Sequence, residues 1–205
     1  MSLRVLRSSL LTLALPLLVV ACSSGEGGAD ASASSGTAST AAPSATAVGA
    51  KPTLEAANAA GLSNARMPRP GMLTAGQPTN AQFEALSEAG YTRFISLRPQ
   101  TENGGGWEEA DAAAHAHDFD RLSIAGAGDL TRDNVAAFAA LLDEAGDAPT
   151  VIYCASGNRV GAMLALKAAW IDGVAPDEAL RLGLDAGMTR LEGPVRELLG
   201  LAGSE

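Results

Sequence analysis

The stretch Thr150-Val-Ile-Tyr-Cys-Ala-Ser-Gly-Asn-Arg159 decides the fold of this chain. An apolar run typical of a strand ends at Cys154, a short turn follows, and an Ala/Leu-rich helical pattern begins behind Arg159. A thiol at such a strand end faces a helix N-terminus, where backbone amides and the helix dipole favour negative charge. That position favours the thiolate, which is the nucleophilic form of cysteine. The alternative is a small buried residue that finishes a core strand.

Apolar periodicity on both sides of this stretch predicts alternating strands and helices. The predicted strands are Thr92–Leu97, Phe119–Ile124 and Thr150–Cys154, with a short extended piece at Gly71–Ala75. The predicted helices are Asn80–Ala89, Trp107–His117, Arg132–Glu144, Asn158–Trp170, Pro176–Ala186 and Pro194–Leu201. The alternation predicts a three-layer α/β fold, in which a central parallel sheet of about four strands has helices on both faces. Ligands bind at the carboxyl ends of the strands in such sheets, and Cys154 lies at one of these ends.

The N-terminal residues predict an exported protein. Arg4 and Arg7 precede an apolar run over Leu10–Val20, which is too short to span a bilayer. The run ends at Ala21-Cys22, which resembles the bacterial lipobox. This resemblance implies a signal peptide over residues 1–22, cleavage before Cys22, attachment of lipid to its thiol, and a place in the bacterial envelope. The alternative is an ordinary cleaved signal in which the cysteine is incidental.

Residues 23–53 are mostly Ser, Ala, Gly and Thr, and they have no apolar period. Such a segment cannot bury enough surface to offset the entropy of ordering, so we interpret it as a flexible tether. Residues 54–205 are long enough for one domain with a real core. If Cys22 carries lipid, Cys154 is the one remaining thiol and has no disulfide partner in the chain.

The charge of the chain limits its partners. The full sequence has a net charge of −9, and residues 1–22 contain two arginines and no acidic residue, so the remainder has a net charge of −11. A field of this sign disfavours nucleic acid and other large polyanions. A small anionic substrate remains compatible, because a local pocket potential can oppose the net charge. We expect contact with the membrane only through the lipid anchor, and the sequence does not define an oligomeric state.

Four sequence blocks resemble a bacterial family, the phosphatase-like domain of the β-lactamase-hydrolase-like proteins, which is a distant branch of the cysteine-dependent dual-specificity phosphatases. The blocks run from about Met67 to Trp170. They are Gly76-Gln77-Pro78 with Gln82–Leu86 and Ala89-Gly90, Phe94-Ile95-Ser96-Leu97-Arg98-Pro99, Leu130-Thr131 with Asn134-Val135 and Phe138, and Cys154-x-Ser156-Gly157-x-Arg159. Their order and spacing are more specific than any single block.

The resemblance implies a cysteine-phosphatase-like fold and a set of roles. Cys154 would be the nucleophile that attacks phosphorus, and Arg159 would hold the phosphoryl oxygens with a fixed fork of donors. The amides of the loop would form the anion cradle, which the resemblance assigns to Ala155, Ser156, Gly157 and Asn158. Asp129, in a glycine loop after a strand, would protonate the leaving group. The alternative for Asp129 is a solvated loop residue, and for Arg159 a solvated residue of the first helical turn.

The active-site loop also departs from most cysteine phosphatases. Four residues separate Cys154 from Arg159, as in the rhodaneses, where most cysteine phosphatases have five. Tyr153 stands where phosphatases usually have His, and Val160 where they usually have Ser or Thr. Two alternatives to hydrolysis therefore stay open: a rhodanese-like sulfurtransferase that carries a persulfide on Cys154, and a non-catalytic anion-binding module.

Two further groups of residues are candidates for an anion contact or a metal site. Arg98 follows the strand Thr92–Leu97 and could add a second anion contact, with an ordinary loop arginine as the alternative. His115 and His117 lie near two aspartates, but positions two residues apart do not share a helix face. We therefore expect no metal site, and nothing in the sequence implies a cofactor.

Overall fold

The computed structural model describes residues 52–201, and within them the chain forms a five-stranded mixed sheet surrounded by helices. The strands are β1 (Arg66–Arg69), β2 (Met72–Ala75), β3 (Arg93–Ser96), β4 (Asp118–Arg121) and β5 (Thr150–Tyr153). The α-helices are α1 (Leu54–Ala59), α2 (Asn80–Glu88), α3 (Glu108–Ala114), α4 (Arg132–Ala145), α5 (Asn158–Trp170), α6 (Pro176–Asp185) and α7 (Glu192–Leu198). The predicted signal peptide, Cys22 and nearly all of the predicted tether lie outside the described residues.

The strand order is β1-β2-β5-β3-β4. Strands β2, β5, β3 and β4 are parallel, whereas β1 pairs antiparallel with β2. The predicted α/β fold is confirmed, and the sheet has one antiparallel edge strand beyond the four parallel strands that were expected. The sequence of β1, Arg-Met-Pro-Arg, does not alternate apolar and polar residues, so it gave no strand signal. Because β5 is central, Cys154 follows the middle strand at the carboxyl edge of the sheet.

Alternation of side chains along each strand divides the core into two layers. One face carries Leu73, Ala75, Phe94, Val151 and Tyr153, which pack with residues of α1, α2 and α3. The other face carries Met72, Ile95, Ile152 and Cys154, which pack with residues of α4, α5, α6 and α7. The helices therefore cover both faces. The same alternation puts the Cys154 side chain on the face that α5 covers.

Several boundaries differ from the sequence prediction. The strand predicted over Phe119–Ile124 covers Asp118–Arg121, since the chain leaves the ladder after its Leu122 amide bonds to Ser96. The helix predicted over Trp107–His117 ends at Ala114, because Ala116 has a φ of 55° in the left-handed region, which an α-helix cannot contain. Helix α1 is six residues long and was not predicted.

Helices α5 and α6 meet backbone to backbone. A Cβ atom placed on Gly161 would lie 2.4 Å from the carbonyl oxygen of Gly183 and 2.4 Å from the amide nitrogen of Met188. Only glycine permits this approach, which brings the turn after α6 close to the start of α5. No helix within residues 52–201 combines the length and apolarity that crossing a bilayer requires.

Candidate active site at the end of the central strand

The candidate site lies in the loop that joins β5 to α5. Cys154 follows directly after β5, and its amide nitrogen lies 3.4 Å from the carbonyl oxygen of Ala75. The cysteine is 1 % exposed and belongs to the apolar core layer on the α5 face. The loop around it is more open, since Ala155 is exposed and Ser156 is half-buried. The sulfur therefore lies beneath the loop and is not displayed on the surface.

The carbonyl groups of the loop are held by residues from other segments. The carbonyl oxygen of Ala155 accepts from the Gln77 amide at 3.3 Å, and that of Ser156 accepts from the side-chain amide of Asn64 at 2.9 Å. Within residues 52–201, no hydrogen-bond acceptor contacts the backbone N–H groups of four loop and helix-start residues, Ala155, Ser156, Asn158 and Arg159. The loop thus combines anchored carbonyls with free amide donors, which is an arrangement that suits an anion.

Asn158 fixes the beginning of α5. Its side-chain oxygen accepts from the Thr189 amide at 2.8 Å and from the Leu191 amide at 3.2 Å. Gly157, which precedes the helix, has a φ of 81°. This left-handed conformation lets the chain turn sharply from the loop into the helix without steric conflict.

Arg159 is buried, with 8 % of its surface exposed, and its guanidinium is held by two elements. Nη1 and Nη2 donate to the two carboxylate oxygens of Glu102 at 2.7 and 2.9 Å, and Nη1 also donates to the carbonyl oxygen of Ile124 at 2.7 Å. Hydrogen bonding to Glu102 raises the pKa of Arg159, and the neighbouring Cys154 raises it further, against the effect of burial. Glu102 occupies Nη1 and Nη2, and none of the hydrogen bonds from Arg159 to oxygen within residues 52–201 uses Nε.

Glu102 was not identified from the sequence as a site residue. One of its oxygens also accepts from Nε of Arg98 at 2.9 Å, so this carboxylate links two arginines. Hydrogen bonds from Arg159, with a smaller contribution from Arg98, hold the pKa of Glu102 below its usual range. The loop Arg98–Gly106 emerges at the same sheet edge as Cys154. An acidic residue in this loop was the one feature of the sequence that could have pointed to Glu102.

Arg98 lies near the candidate site, and three of its five N–H groups donate hydrogen bonds within the described residues. Nε donates to Glu102, Nη1 donates to the side-chain oxygen of Gln77 at 2.8 Å, and Nη2 donates to the carbonyl oxygen of Asn103. The residue is 5 % exposed. These bonds support the loop that carries Glu102, and the role of Arg98 as a second anion contact stays a prediction.

Asp129 lies in a short 3-10 turn over Ala127–Asp129. One of its carboxylate oxygens accepts from the Ala125 amide at 2.6 Å, and its carbonyl oxygen accepts from the Asn134 side chain at 2.8 Å. Among the described residues, no hydrogen bond or ion pair joins the Asp129 carboxylate to Cys154 or Arg159. The link between this loop and the site is the contact from Arg159 to Ile124.

A second ionic cluster lies behind the loop, on the other face of the sheet. Glu108 is fully buried and accepts from Gln77 at 3.0 Å, from the Gly106 amide at 2.6 Å and from Arg121 at 3.1 Å. Burial alone would raise the pKa of Glu108, but these hydrogen bonds and one from its own amide outweigh that effect and lower it. Gln77 therefore connects the Glu108 cluster to Arg98 and the Glu102 cluster.

Tyr153, the last residue of β5, is fully buried near the Glu108 cluster. Burial raises the pKa of Tyr153, and the charge of Glu108 raises it further. Although its hydroxyl lies near Ser96 and Glu108, it has no hydrogen bond of good geometry among the described residues. This phenol fills the position where the resemblance leads one to expect His.

The remaining candidate groups lie away from Cys154. His115 contacts the Asp111 carboxylate at 3.7 Å, and residues 52–201 contain no cluster of His, Cys, Asp or Glu side chains able to hold a metal ion. A cavity of about 490 Å³ opens at the amino end of the strands, beside Met72 and Leu164. Its rim carries charges of both signs, so the cavity defines no ligand chemistry.

The described part of the chain matches one known family and several solved folds. Residues 79–171 match the family described as "Beta-lactamase hydrolase-like protein, phosphatase-like domain". Among curated proteins, none is similar enough to match the chain.

Three solved structures illustrate the fold. A candidate phosphatase from Neisseria meningitidis Z2491 is 21 % identical, with a TM-score of 0.56, over 67 % of this chain and 97 % of its own. A candidate phosphatase of the DUF442 group from Shewanella putrefaciens CN-32 is 18 % identical, with a TM-score of 0.54, over 74 % of this chain and 98 % of its own. TpbA from P. aeruginosa is 15 % identical, with a TM-score of 0.50, over 64 % of this chain and 80 % of its own. Residues 79–171 of the chain are thus similar to the phosphatase-like domain of the β-lactamase-hydrolase-like proteins.

Proposed function

We propose that this domain is a phosphatase-like, cysteine-dependent hydrolase that acts on a small phosphorylated or similarly anionic substrate. The observation that carries the proposal is the state of Arg159, whose guanidinium is buried, bonded to both carboxylate oxygens of Glu102 and in interaction with Cys154. A cation that is held in this way stabilises both a thiolate and a bound anion without having to reorganise.

In the proposed reaction, the Cys154 thiolate attacks phosphorus and forms an S–P bond while the bond to the leaving oxygen breaks. The leaving oxygen takes a proton from Asp129, and water then hydrolyses the cysteinyl phosphate, with release of phosphate and return of the thiolate. Arg159 and the amides of the loop hold the phosphoryl oxygens. Because Asp129 is bonded to its own loop, its role requires residues 125–129 to move toward the bound substrate.

The decisive experiment is phosphate release from a small aryl phosphate by the purified protein with its thiol reduced. We expect Cys154→Ser to abolish the release, because an alcohol is a far weaker nucleophile than a thiolate. Asn58→Asp, a substitution of an exposed residue of α1, controls for effects of expression and purification on a variant. It should retain the full rate. Absence of release by the unmodified protein across aryl and alkyl phosphates would contradict the proposal.

A sulfurtransferase is the second candidate, because the loop has the four-residue rhodanese spacing and Val160 is fully buried and carries no hydroxyl group. In that reaction, the thiolate attacks the outer sulfur of thiosulfate, sulfite leaves, and the resulting persulfide passes its outer sulfur to cyanide as thiocyanate with return of the thiolate. Mass spectrometry after thiosulfate treatment tests this directly. A gain of one sulfur atom on Cys154 supports it, and an unmodified thiol rejects it. A protein that binds oxyanions without either reaction would be an anion-binding module.

We also propose that the mature protein is held in the bacterial envelope by lipid on Cys22, with the domain exported. The support is the sequence before Cys22 and the tether-like composition of residues 23–53. Labelling of the expressed protein with a fatty-acid analogue tests this proposal. Label that persists in Cys22→Ala would reject it.

A further inference from the structure

Asn64 makes a contact with the candidate loop that sequence reasoning did not find. It lies between α1 and β1, outside the residues that match the family. Its side-chain nitrogen donates to the carbonyl oxygen of Ser156 at 2.9 Å and to that of Gly187 at 3.0 Å. Its backbone has a φ of 51°, in the left-handed region where asparagine is tolerated better than most residues.

Two glycines make room for this side chain. A Cβ atom on Gly157 would lie 2.7 Å from the Asn64 nitrogen, and a Cβ atom on Gly187 would also lie 2.7 Å from it. Both glycines have positive φ, at 81° and 103°. The amide of Asn64 therefore lies in a space that the backbone leaves open on both sides, between the loop and the turn that follows α6.

The direction of the Ser156 carbonyl determines the sign of the loop dipole. In a planar trans peptide, the C=O and N–H groups point in opposite directions. The bond from Asn64 holds the Ser156 oxygen beside the turn that follows α6, where the same side chain also bonds to the Gly187 oxygen. If that peptide unit rotated, a carbonyl oxygen would face the space above Cys154 and repel an anion.

The same turn is held from a second point. Asn158 accepts from the amides of Thr189 and Leu191, two and four residues after Gly187. The turn after α6 is thus bonded to the start of α5 by Asn158 and to Asn64 through Gly187. Because the turn is bonded at both points, Asn64 is held in place while its side chain bonds to the Ser156 carbonyl.

We propose that Asn64 is a positioning residue that holds the peptide unit between Ser156 and Gly157 in the orientation needed to bind an oxyanion. This inference rests on the proposed function, because it concerns the same loop. It gives the segment before β1 a role in the site that the matched family residues do not supply.

The test compares Asn64→Asp with Asn58→Asp. Both substitutions add the same charge to the N-terminal part of the domain, but Asn58 is exposed and makes no hydrogen bond through its side chain in the described structure. A carboxylate at position 64 keeps the shape and tolerates the backbone conformation, but it has no hydrogen to donate and would repel both carbonyls. Asn64→Gly, which also accepts a positive φ, removes the donor without adding charge.

Two measurements distinguish positioning from a general effect on the fold. We expect the dissociation constant for tungstate, measured by calorimetry, and the KM for an aryl phosphate to rise about tenfold or more in both Asn64 variants, a factor that corresponds to about 1.4 kcal/mol. The midpoint of thermal unfolding should stay within about 5 °C of the unmodified protein. Asn58→Asp should match the unmodified protein in both measurements.

Each other outcome has a definite meaning. Unchanged tungstate binding and KM in folded Asn64→Asp and Asn64→Gly would overturn the role of Asn64 and leave the proposed function standing. Unfolding of both variants would reduce Asn64 to a purely structural residue and also overturn the inference. An unmodified protein that binds tungstate without turnover removes the hydrolase proposal alone, and one that does neither removes both.

Discussion

The pair Arg159–Glu102 and the pair Arg121–Glu108 are joined through Gln77, yet they differ in their access to solvent. The side chains of the first pair are 9 % and 29 % exposed, and those of the second pair are 9 % and 0 % exposed. Glu108 is surrounded by donors from Gln77, Gly106 and Arg121. Within residues 52–201, the Glu102 carboxylate receives hydrogen bonds from Arg159 and Arg98.

The difference separates a fully enclosed carboxylate, Glu108, from one that water can reach, Glu102. A buried charge is costly unless all of its hydrogen bonds are made, so the Glu108 pair gains from being complete. In the Arg159 pair, Glu102 is partly exposed to water, and Arg159 also interacts with Cys154. Similar residue types thus form an enclosed pair between β4 and α3 and a partly exposed pair between α5 and the loop before α3.

The largest expected effect concerns the two arginines. Arg159→Lys should lower kcat/KM for an aryl phosphate by about a hundredfold or more, because lysine lacks the planar fork that serves Glu102 and the substrate together. Arg121→Lys should lower stability and leave the rate of the folded protein within about threefold, since Arg121 does not contact Cys154. Steady-state kinetics of both variants measures the contrast, and equal losses of rate would abolish it.

The next effect concerns the two carboxylates. Glu108→Gln should lower the free energy of unfolding by about 3–5 kcal/mol, because the buried Arg121 guanidinium then loses the charge of its Glu108 partner. Glu102→Gln should cost about 1–2 kcal/mol, since the carboxylate has partial access to water. Urea unfolding followed by tryptophan fluorescence measures both values. A larger loss for Glu102→Gln than for Glu108→Gln would contradict the assignment of the structural role to Glu108.

The smallest expected effect is on the response to acid. The pKa values of Glu102 and Glu108 both lie below the ordinary value of 4.5, so each carboxylate stabilises the fold above that pH and loses its contribution as the pH falls through its lowered pKa. The unmodified protein should therefore become less stable below about pH 4.5. A variant with both residues changed to Gln should show a shallower decline in its thermal midpoint between about pH 5 and 3. Parallel curves would mean that other carboxylates control the acid response.

The parts of the site that the sequence predicted are those with local signals. Cys154 and Arg159 lie within one strand–turn–helix unit, and the cap at Thr79 is followed three residues later by Gln82, which completes a capping box. Such patterns depend on neighbouring residues, so they can be read without knowledge of the tertiary structure. The fold class followed from the same kind of alternation.

The missing parts depend on contacts between distant segments. Glu102 lies 57 residues from Arg159, and Asn64 lies 92 residues from Ser156. No periodicity connects such positions, because the sheet order and the loop paths determine which of many polar residues meet. The expectation for Arg98 had a similar weakness, since its sheet-edge position was predicted but its bonding to Gln77 and Glu102 was not.

The outermost strands affect how the domain behaves when it is crowded. β1 contains Pro68 between two arginines, and β4 reads Asp-Phe-Asp-Arg. Proline cannot donate to a further strand, and charged side chains along an open edge repel a second sheet that approaches it. Both edge strands of this sheet thus disfavour strand pairing between molecules, which is the step that leads to aggregates. Copies of the domain at high local concentration therefore stay separate.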